Sequence, residues 1–264
     1  MYYIDYHTHT LLSPDGNAPL SAMAEAAVAA GLSQLCVTDH YDRIMEHGGI
    51  APDYDWGPAL EQFRAALPAF RDKLVLRFGI EYGSAPFDPD YARRMLSQPE
   101  LDFVIGSLHN MSPEQGGEDF YFLSYDRPET CYAALDDYFA SMLRLVELPE
   151  TYDILGHIIY PLRYMPPEIR LDRYQDAIDT VLRRVVETGR GIELNTYCGK
   201  TIEPWRPILE RYRDCGGELI TVGSDAHYPE RVGLGLPEAY ALLRDTGFRY
   251  VTVYDKHIPT QMAL

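Results

Sequence analysis

Eight histidines are spread over the 264 residues, and six of them fall with carboxylates in short clusters. The clusters are His7-Thr8-His9 with Asp15 close behind, Asp39-His40, Glu81, His109, His157 and Asp225-Ala226-His227. Neutral imidazoles mixed with carboxylates suit Zn, Mn or Fe better than Ca. Side chains two residues apart on a strand project to the same side. His7 and His9 can therefore reach one ion together, which a lone histidine holds poorly. The Glu81 carboxylate can bridge two cations. Nine side chains (His7, His9, Asp15, His40, Glu81, His109, His157, Asp225 and His227) are too many for one ion, so two are the minimum and three are accommodated. Taken singly, each residue has a plainer use. A single histidine can be a hydrogen-bonded structural residue, and Asp15 in Pro14-Asp15-Gly16 can be a turn former. Asp39 fits a helix cap or a carboxylate that orients an imidazole, and Glu81 can be a solvated strand end. Their joint placement at the same kind of position makes the case for a metal centre. His47 and His257 fall outside the pattern and read as surface residues.

That placement depends on the elements. Short apolar, β-branched runs alternate with longer amphipathic stretches along the whole chain. The strand candidates are Tyr2–Tyr6, Gln34–Thr38, Val75–Ile80, Phe103–Ile105, Ile154–Leu155, Gly191–Leu194 and Leu219–Val222, with a last extended piece at Tyr250–Tyr254. Apolar residues at i, i+3 and i+4 predict helices over Leu20–Ala30, Pro58–Arg71, Pro89–Leu96, Pro128–Leu148, Leu171–Thr188, Pro204–Cys215 and Pro237–Thr246. Gly31, Gly189 and Gly216 stand where helices should stop. Repeated strand–helix units favour a parallel sheet, and seven or eight of them favour closure into a barrel. The competitor, an open doubly wound sheet, normally carries a Gly-rich turn after its first strand. Here that position reads His7-Thr8-His9. In a barrel, residues just past the C-terminal strand ends share one mouth. The polar stretch 110–127 exceeds ordinary connections and is either a lid or substrate loop or a tolerated surface excursion.

Composition narrows the partners. With 40 acidic and 23 basic residues the formal charge is −17, a field that repels nucleic acid and anionic membrane. An anionic substrate then needs bound cations or a few placed arginines. The 46% apolar content is ordinary for a globular chain, and residues 1–264 fit one domain. The four widely spaced cysteines show no CxxC pair and read as reduced thiols. The opening MYYIDYHTHT has neither the basic nor the apolar region of a secretory signal, so a soluble cytoplasmic protein is expected. The sequence does not reveal an oligomeric state.

The chain resembles the polymerase and histidinol phosphatase (PHP) family, and specifically its histidinol-phosphate phosphatase branch. The matching stretches are DYHTHTLLSPDG (5–16), VTDH (37–40), GIEYG (79–83), IGSLH (105–109), ILGH (154–157), IELNT (192–196) and GSDAH (223–227), in the family's order. The resemblance implies a distorted (β/α)7 TIM-like barrel with a trinuclear metal centre. It would place His7, His9, Glu81 and Asp225 on one ion. Glu81 would bridge to a second ion completed by His109 and His157, and Asp15, His40 and His227 would hold a third. Arg163, in HIIYPLRY, stands where the phosphatase branch often has a phosphate-binding arginine. The chain departs from many relatives at Ile159, where they carry aspartate, and at Tyr228, where a basic residue is frequent.

The expected activity is hydrolysis of a phosphate monoester, most specifically L-histidinol phosphate to L-histidinol and phosphate in histidine biosynthesis. The expected attacking group is a metal-bridging hydroxide. Glu81, Asp225 and His227 are the catalytic candidates, with Asp225 or His227 protonating the leaving alkoxide. Arg163, Ser107, Asn195, Lys200 and Arg231 are candidates for substrate binding, and Arg206 for added positive charge. Other phosphoesters (nucleotide, sugar phosphate, phosphotyrosine), lactone or amide hydrolysis, and a non-catalytic module are the alternatives.

Overall fold

The computed structural model describes residues 2–264. Seven parallel strands follow the path β1-β2-β4-β5-β6-β7-β8. They are β1 (Ile4–Thr8), β2 (Gln34–Val37), β4 (Val75–Gly83), β5 (Phe103–Ser107), β6 (Ile154–Leu155), β7 (Gly191–Asn195) and β8 (Ile220–Gly223), with a short β3 (His40–Asp42) extending the sheet beside β4. The ends of the path meet where Asp225 N–H donates to the His7 carbonyl and His9 N–H to the Ala226 carbonyl, both at 2.9 Å. The barrel is thereby nearly closed. Gly223 permits this approach, since a side chain there would collide with the Cβ of His7.

Helices α1 (Leu20–Ala29), α2 (Trp56–Phe70), α3 (Pro89–Met95), α4 (Pro128–Leu145), α5 (Gln175–Glu187), α6 (Arg206–Asp214) and α7 (Leu236–Asp245) alternate with the strands. Local chemistry sets their ends. Asp55 accepts from Gly57 N–H at 2.9 Å to cap α2. Gly31, Gly189 and Gly216 take left-handed φ values of 74°, 67° and 87° just past α1, α5 and α6, the stops expected from the sequence. One continuous apolar core joins the helices to the outer face of the strands and fills the lower barrel, where Tyr6 meets Phe103 with ring centroids 5.1 Å apart. Among the described residues no helix is long and apolar enough to cross a membrane.

The extended piece expected at 250–254 is a strand outside the barrel. It belongs to β9 (Tyr250–Asp255), which forms an antiparallel hairpin with β10 (Ile258–Ala263) under the N-terminal end of the barrel. Tyr254 N–H donates to the Tyr6 hydroxyl at 3.0 Å, tying the hairpin to β1. Glu81 lies inside its strand rather than at the end, because β4 continues to Gly83 while pairing with both β3 and β5. His257 is exposed, as expected, and its Nδ1 lies 2.8 Å from the buried carboxylate of Asp153. The 110–127 stretch is a folded excursion held by Met111 N–H on the Glu118 carbonyl (2.8 Å), by Ser112 on Asp137 and by the buried Phe120.

Candidate metal centre

The nine candidates, carried by six strands and the loops that follow them, converge in the C-terminal mouth. The Glu81 carboxylate is fully buried at the centre. Its Oε1 lies 2.8 Å from His157 Nε2 and 3.1 Å from His109 Nε2, and its Oε2 lies 3.0 Å from His7 Nε2 and 2.9 Å from His40 Nδ1. His9 Nε2 stands 3.6 Å from Glu81 Oε2 and 3.4 Å from Asp225 Oδ1. The rings of His40 and His227 both lie against His9, at 4.2 and 4.1 Å, and are 5.7 Å from each other, and Asp15 Oδ2 is 2.9 Å from His227 Nε2. Ligand atoms gather within 4.8 Å of one another in the sets His7-His9-Glu81, Glu81-His109-His157 and His9-His40-His227. All nine candidates are thus in one nest.

The donor set fits divalent cations. Buried polar atoms ordinarily find hydrogen-bond partners, yet His9 Nε2 is buried and makes no hydrogen bond. Carboxylate oxygens of Glu81 and Asp225 lie 3.6 and 3.4 Å from it, and a cation satisfies the nitrogen and these oxygens at once. Burial and the neighbouring His227 and His40 hold His9 well below the usual imidazole range, and burial lowers His157. Both rings are then free bases, the form that binds metal. Burial opposes charge on Glu81 and Asp225, but His7, His40 and His109 around the first and His7 and Arg163 around the second keep both well below the carboxylate range. For His7 burial is outweighed by Glu81, Glu193 and Asp225, which raise it well above the usual range. Asp225 also has a left-handed φ of 60°, a strained conformation for a non-glycine residue that turns its side chain into the mouth.

A supporting shell surrounds the nest. Ser107 Oγ donates to Glu81 Oε1 at 2.7 Å, so this hydroxyl fixes the central carboxylate. Asp39 accepts from Thr10 N–H, Thr10 Oγ1 and Ser13 Oγ, and Ser13 lies 3.1 Å from His9 Nδ1. It orients an imidazole through Ser13, one of the two uses open to it in the sequence. Two carboxylates escaped sequence reasoning. Glu193 accepts the His157 backbone N–H at 2.7 Å and lies 2.9 Å from His7 Nδ1. Asp42 lies 2.9 Å from His109 Nδ1. A glutamate between Ile192 and Leu194 in a wholly buried strand was the available signal for the first, because a buried carboxylate demands partners. Asp42 sits on a three-residue strand that no periodicity reveals.

Arg163 is buried beside the nest, with Nη1 2.8 Å from Asp225 Oδ2 and Nη2 donating to Asn195 Oδ1 at 2.8 Å. Its guanidinium lies 4.2 Å from the Tyr197 ring centroid and 5.2 Å from that of Tyr160. Asn195 in turn donates to Asp225 Oδ2 at 3.2 Å. Lys200 is exposed, with Nζ 4.5 Å above the Tyr197 ring, and Arg231 is exposed over Tyr228 at 4.8 Å. Arg206 is turned to surface pairs with Glu203 and Asp245.

Residues 5–197 match the PHP domain family. The chain belongs to the PHP domain family. Among relatives of this PHP protein, a histidinol-phosphatase of Lactococcus lactis subsp. lactis is 25% identical over 96% of this chain and 95% of its own length. A probable histidinol-phosphatase of Clostridium acetobutylicum is 28% identical over 94% of this chain and 95% of its own. The crystal structure of the Lactococcus histidinol phosphate phosphatase complexed with zinc, L-histidinol and phosphate aligns with a TM-score of 0.82 at 25% identity, covering 97% of this chain and 98% of that one.

Proposed function

We propose that this PHP protein is a metal-dependent phosphomonoesterase, folded as a single domain over residues 1–264, that hydrolyses L-histidinol phosphate to L-histidinol and phosphate in the cytoplasm. The observation that carries the reading is the juxtaposition of a fixed guanidinium, Arg163, with a nest of imidazoles and carboxylates suited to divalent ions. The full-length similarity to histidinol-phosphatases supports the substrate.

Two to three divalent ions (Zn, Mn or Fe) would be held by His7, His9, Glu81 and Asp225, by Glu81, His109 and His157, and by Asp15, His40 and His227. When bound, such ions offset phosphate charge and lower the pKa of water. The chain's own residues supply the rest. Ser107 fixes the Glu81 carboxylate by donating to its Oε1. Arg163 binds the phosphoryl oxygens bidentately, as its planar fork permits, and Asn195 keeps that fork oriented. A new P–O bond forms to water oxygen as the ester P–O bond breaks. The carboxylate of Asp225, held ionised by His7 and Arg163, or the imidazole of His227 takes the proton released by the attacking water and passes it to the departing alkoxide. Lys200 and Arg231, both near the mouth, add positive potential for an anionic substrate.

Steady-state kinetics across a panel of phosphate esters after metal reconstitution tests this. L-histidinol phosphate should give the highest kcat/KM. A nucleotide, sugar phosphate or phosphotyrosine ranking far above it would refute the substrate, and hydrolysis of lactones or amides in place of phosphate esters would refute the reaction class.

A further inference from the structure

A cavity of about 330 Å³ lies at the base of the barrel, at the low end of the size range of small-molecule sites. Leu96, Pro99 and Tyr152 give it an apolar wall, and Arg190, Lys256 and His257 bring basic side chains to it. Arg190 immediately precedes β7, while Lys256 and His257 make the turn between β9 and β10. The cavity therefore sits between the N-terminal end of the barrel and the hairpin, away from the metal nest.

Principles of pairing leave this cavity with spare donors. Arg190 Nη1 lies 3.3 Å from Asp153 Oδ1 and His257 Nδ1 lies 2.8 Å from Asp153 Oδ2, so both flank one carboxylate. Asp153 also accepts from Val104 N–H at 2.8 Å, and the other acid lining the cavity, Glu150, is paired with Arg93 Nε at 2.7 Å. Both acids are thus engaged. Arg190 is not. Among the described residues only its Nη1 has an acceptor; Nε is buried without one, and none meets Nη2. In Arg64 and Arg206 the same Nε–Nη2 edge is closed by a carboxylate, of Glu100 and Glu203 respectively. Lys256 Nζ contacts Asp102 Oδ1 at 3.0 Å and the Glu100 carbonyl at 2.6 Å, which leaves one of its three N–H groups. A chain with 40 acidic and 23 basic residues does not lack acceptors, yet it supplies none to this edge.

We propose that the cavity is a binding site for a small organic carboxylate, with both oxygens on the Nε–Nη2 edge of Arg190 and Lys256 Nζ beside them. The planar guanidinium fork matches a carboxylate through two parallel N–H bonds. The apolar part of the ligand lies on Leu96 and Tyr152. A bound carboxylate joins the barrel, through Arg190, to the hairpin, through Lys256. The site is separate from the metal centre and does not depend on the phosphomonoesterase reading.

Calorimetric titration of 3-phenylpropionate and of 4-methylpentanoate into the metal-loaded full-length protein tests it, with 3-phenylpropanamide as the uncharged control. At least one of the two carboxylates should bind with a Kd of about 1 mM or tighter, and the amide should bind at least about 10-fold more weakly than 3-phenylpropionate. Arg190→Met should weaken carboxylate binding about 10–100-fold, and Lys256→Gln, on the exposed turn, should weaken it by less. If Arg190→Met does not fold, Lys256→Gln decides. Absence of saturable binding by either carboxylate, equal binding of 3-phenylpropionate and its amide, or wild-type affinity in the folded variants, as for a carboxylate held at the metal nest, overturns the assignment.

Discussion

At the N-terminal end of the barrel, Asp102 and Asp153 are buried and every carboxylate oxygen meets a donor. Asp102 accepts from Phe78 N–H at 3.0 Å and pairs with Lys256 Nζ at 3.0 Å. Asp153 accepts from Val104 N–H at 2.8 Å and is flanked by His257 Nδ1 at 2.8 Å and Arg190 Nη1 at 3.3 Å. The C-terminal mouth uses the same residue types to the opposite effect. There Glu81 Oε1 is approached by His109 Nε2 and His157 Nε2, themselves only 3.3 Å apart, while His9 Nε2 has carboxylates in front of it and no donor. Donors match acceptors at one end; at the other, acceptors outnumber donors until cations arrive. A histidine nitrogen beside a buried carboxylate is therefore structural when it carries a proton to donate and metal-binding when it offers a lone pair.

Substitutions at the two ends should separate cleanly. We predict the largest effect from Glu81→Ala, which removes the shared carboxylate: kcat/KM should fall on the order of 10³-fold and bound metal should drop, both measured on the same preparation. If that variant keeps its metal and its rate, Glu81 is not the bridge. Arg163→Met should reduce kcat/KM for phosphate esters about 10²-fold. A neutral ester falling just as far would mean that Arg163 supports the fold of the mouth rather than phosphate.

Glu193→Gln probes the outer carboxylate, which lies against His7 Nδ1 and the His157 backbone. Metal affinity, read by competition with a chelator, should weaken about 10–100-fold; unchanged affinity would reduce Glu193 to a backbone clamp. Asp153→Asn, at the far end, should leave metal content alone and cost about 1–3 kcal/mol of stability in denaturant unfolding, since buried donors lose a charged acceptor. Altered metal content there would erase the contrast between the ends. His257→Ala should cost least, about 0–1 kcal/mol, because its ring is 40% exposed.

The mouth was more legible in the sequence than the base. Strand ends ran a few residues long or short, yet His7, His109, His157 and Asp225 still fell at the same end, because the motifs themselves mark where strands stop. Glu193 was hidden because a strand acid carries no sign of which distant strand supplies its partners; here one is His7, far away in sequence and brought close only by closure between β1 and β8. The hairpin at the base escaped for a local reason. Its turn places Lys256 and His257 at φ values of 49° and 63°, where Asn and Gly are the usual residues, and Pro259 weakens the strand pattern after it. Docking onto Asp102 and Asp153 supplies what local propensity lacks.

The most direct test is elemental analysis of the purified full-length protein, without added metal or chelator, alongside its phosphatase rate. Clustered imidazoles and carboxylates around Glu81 predict two to three equivalents of divalent transition metal per chain, with activity falling as a chelator strips them. A folded preparation that hydrolyses phosphate esters at full rate while holding less than one equivalent would contradict the metal centre.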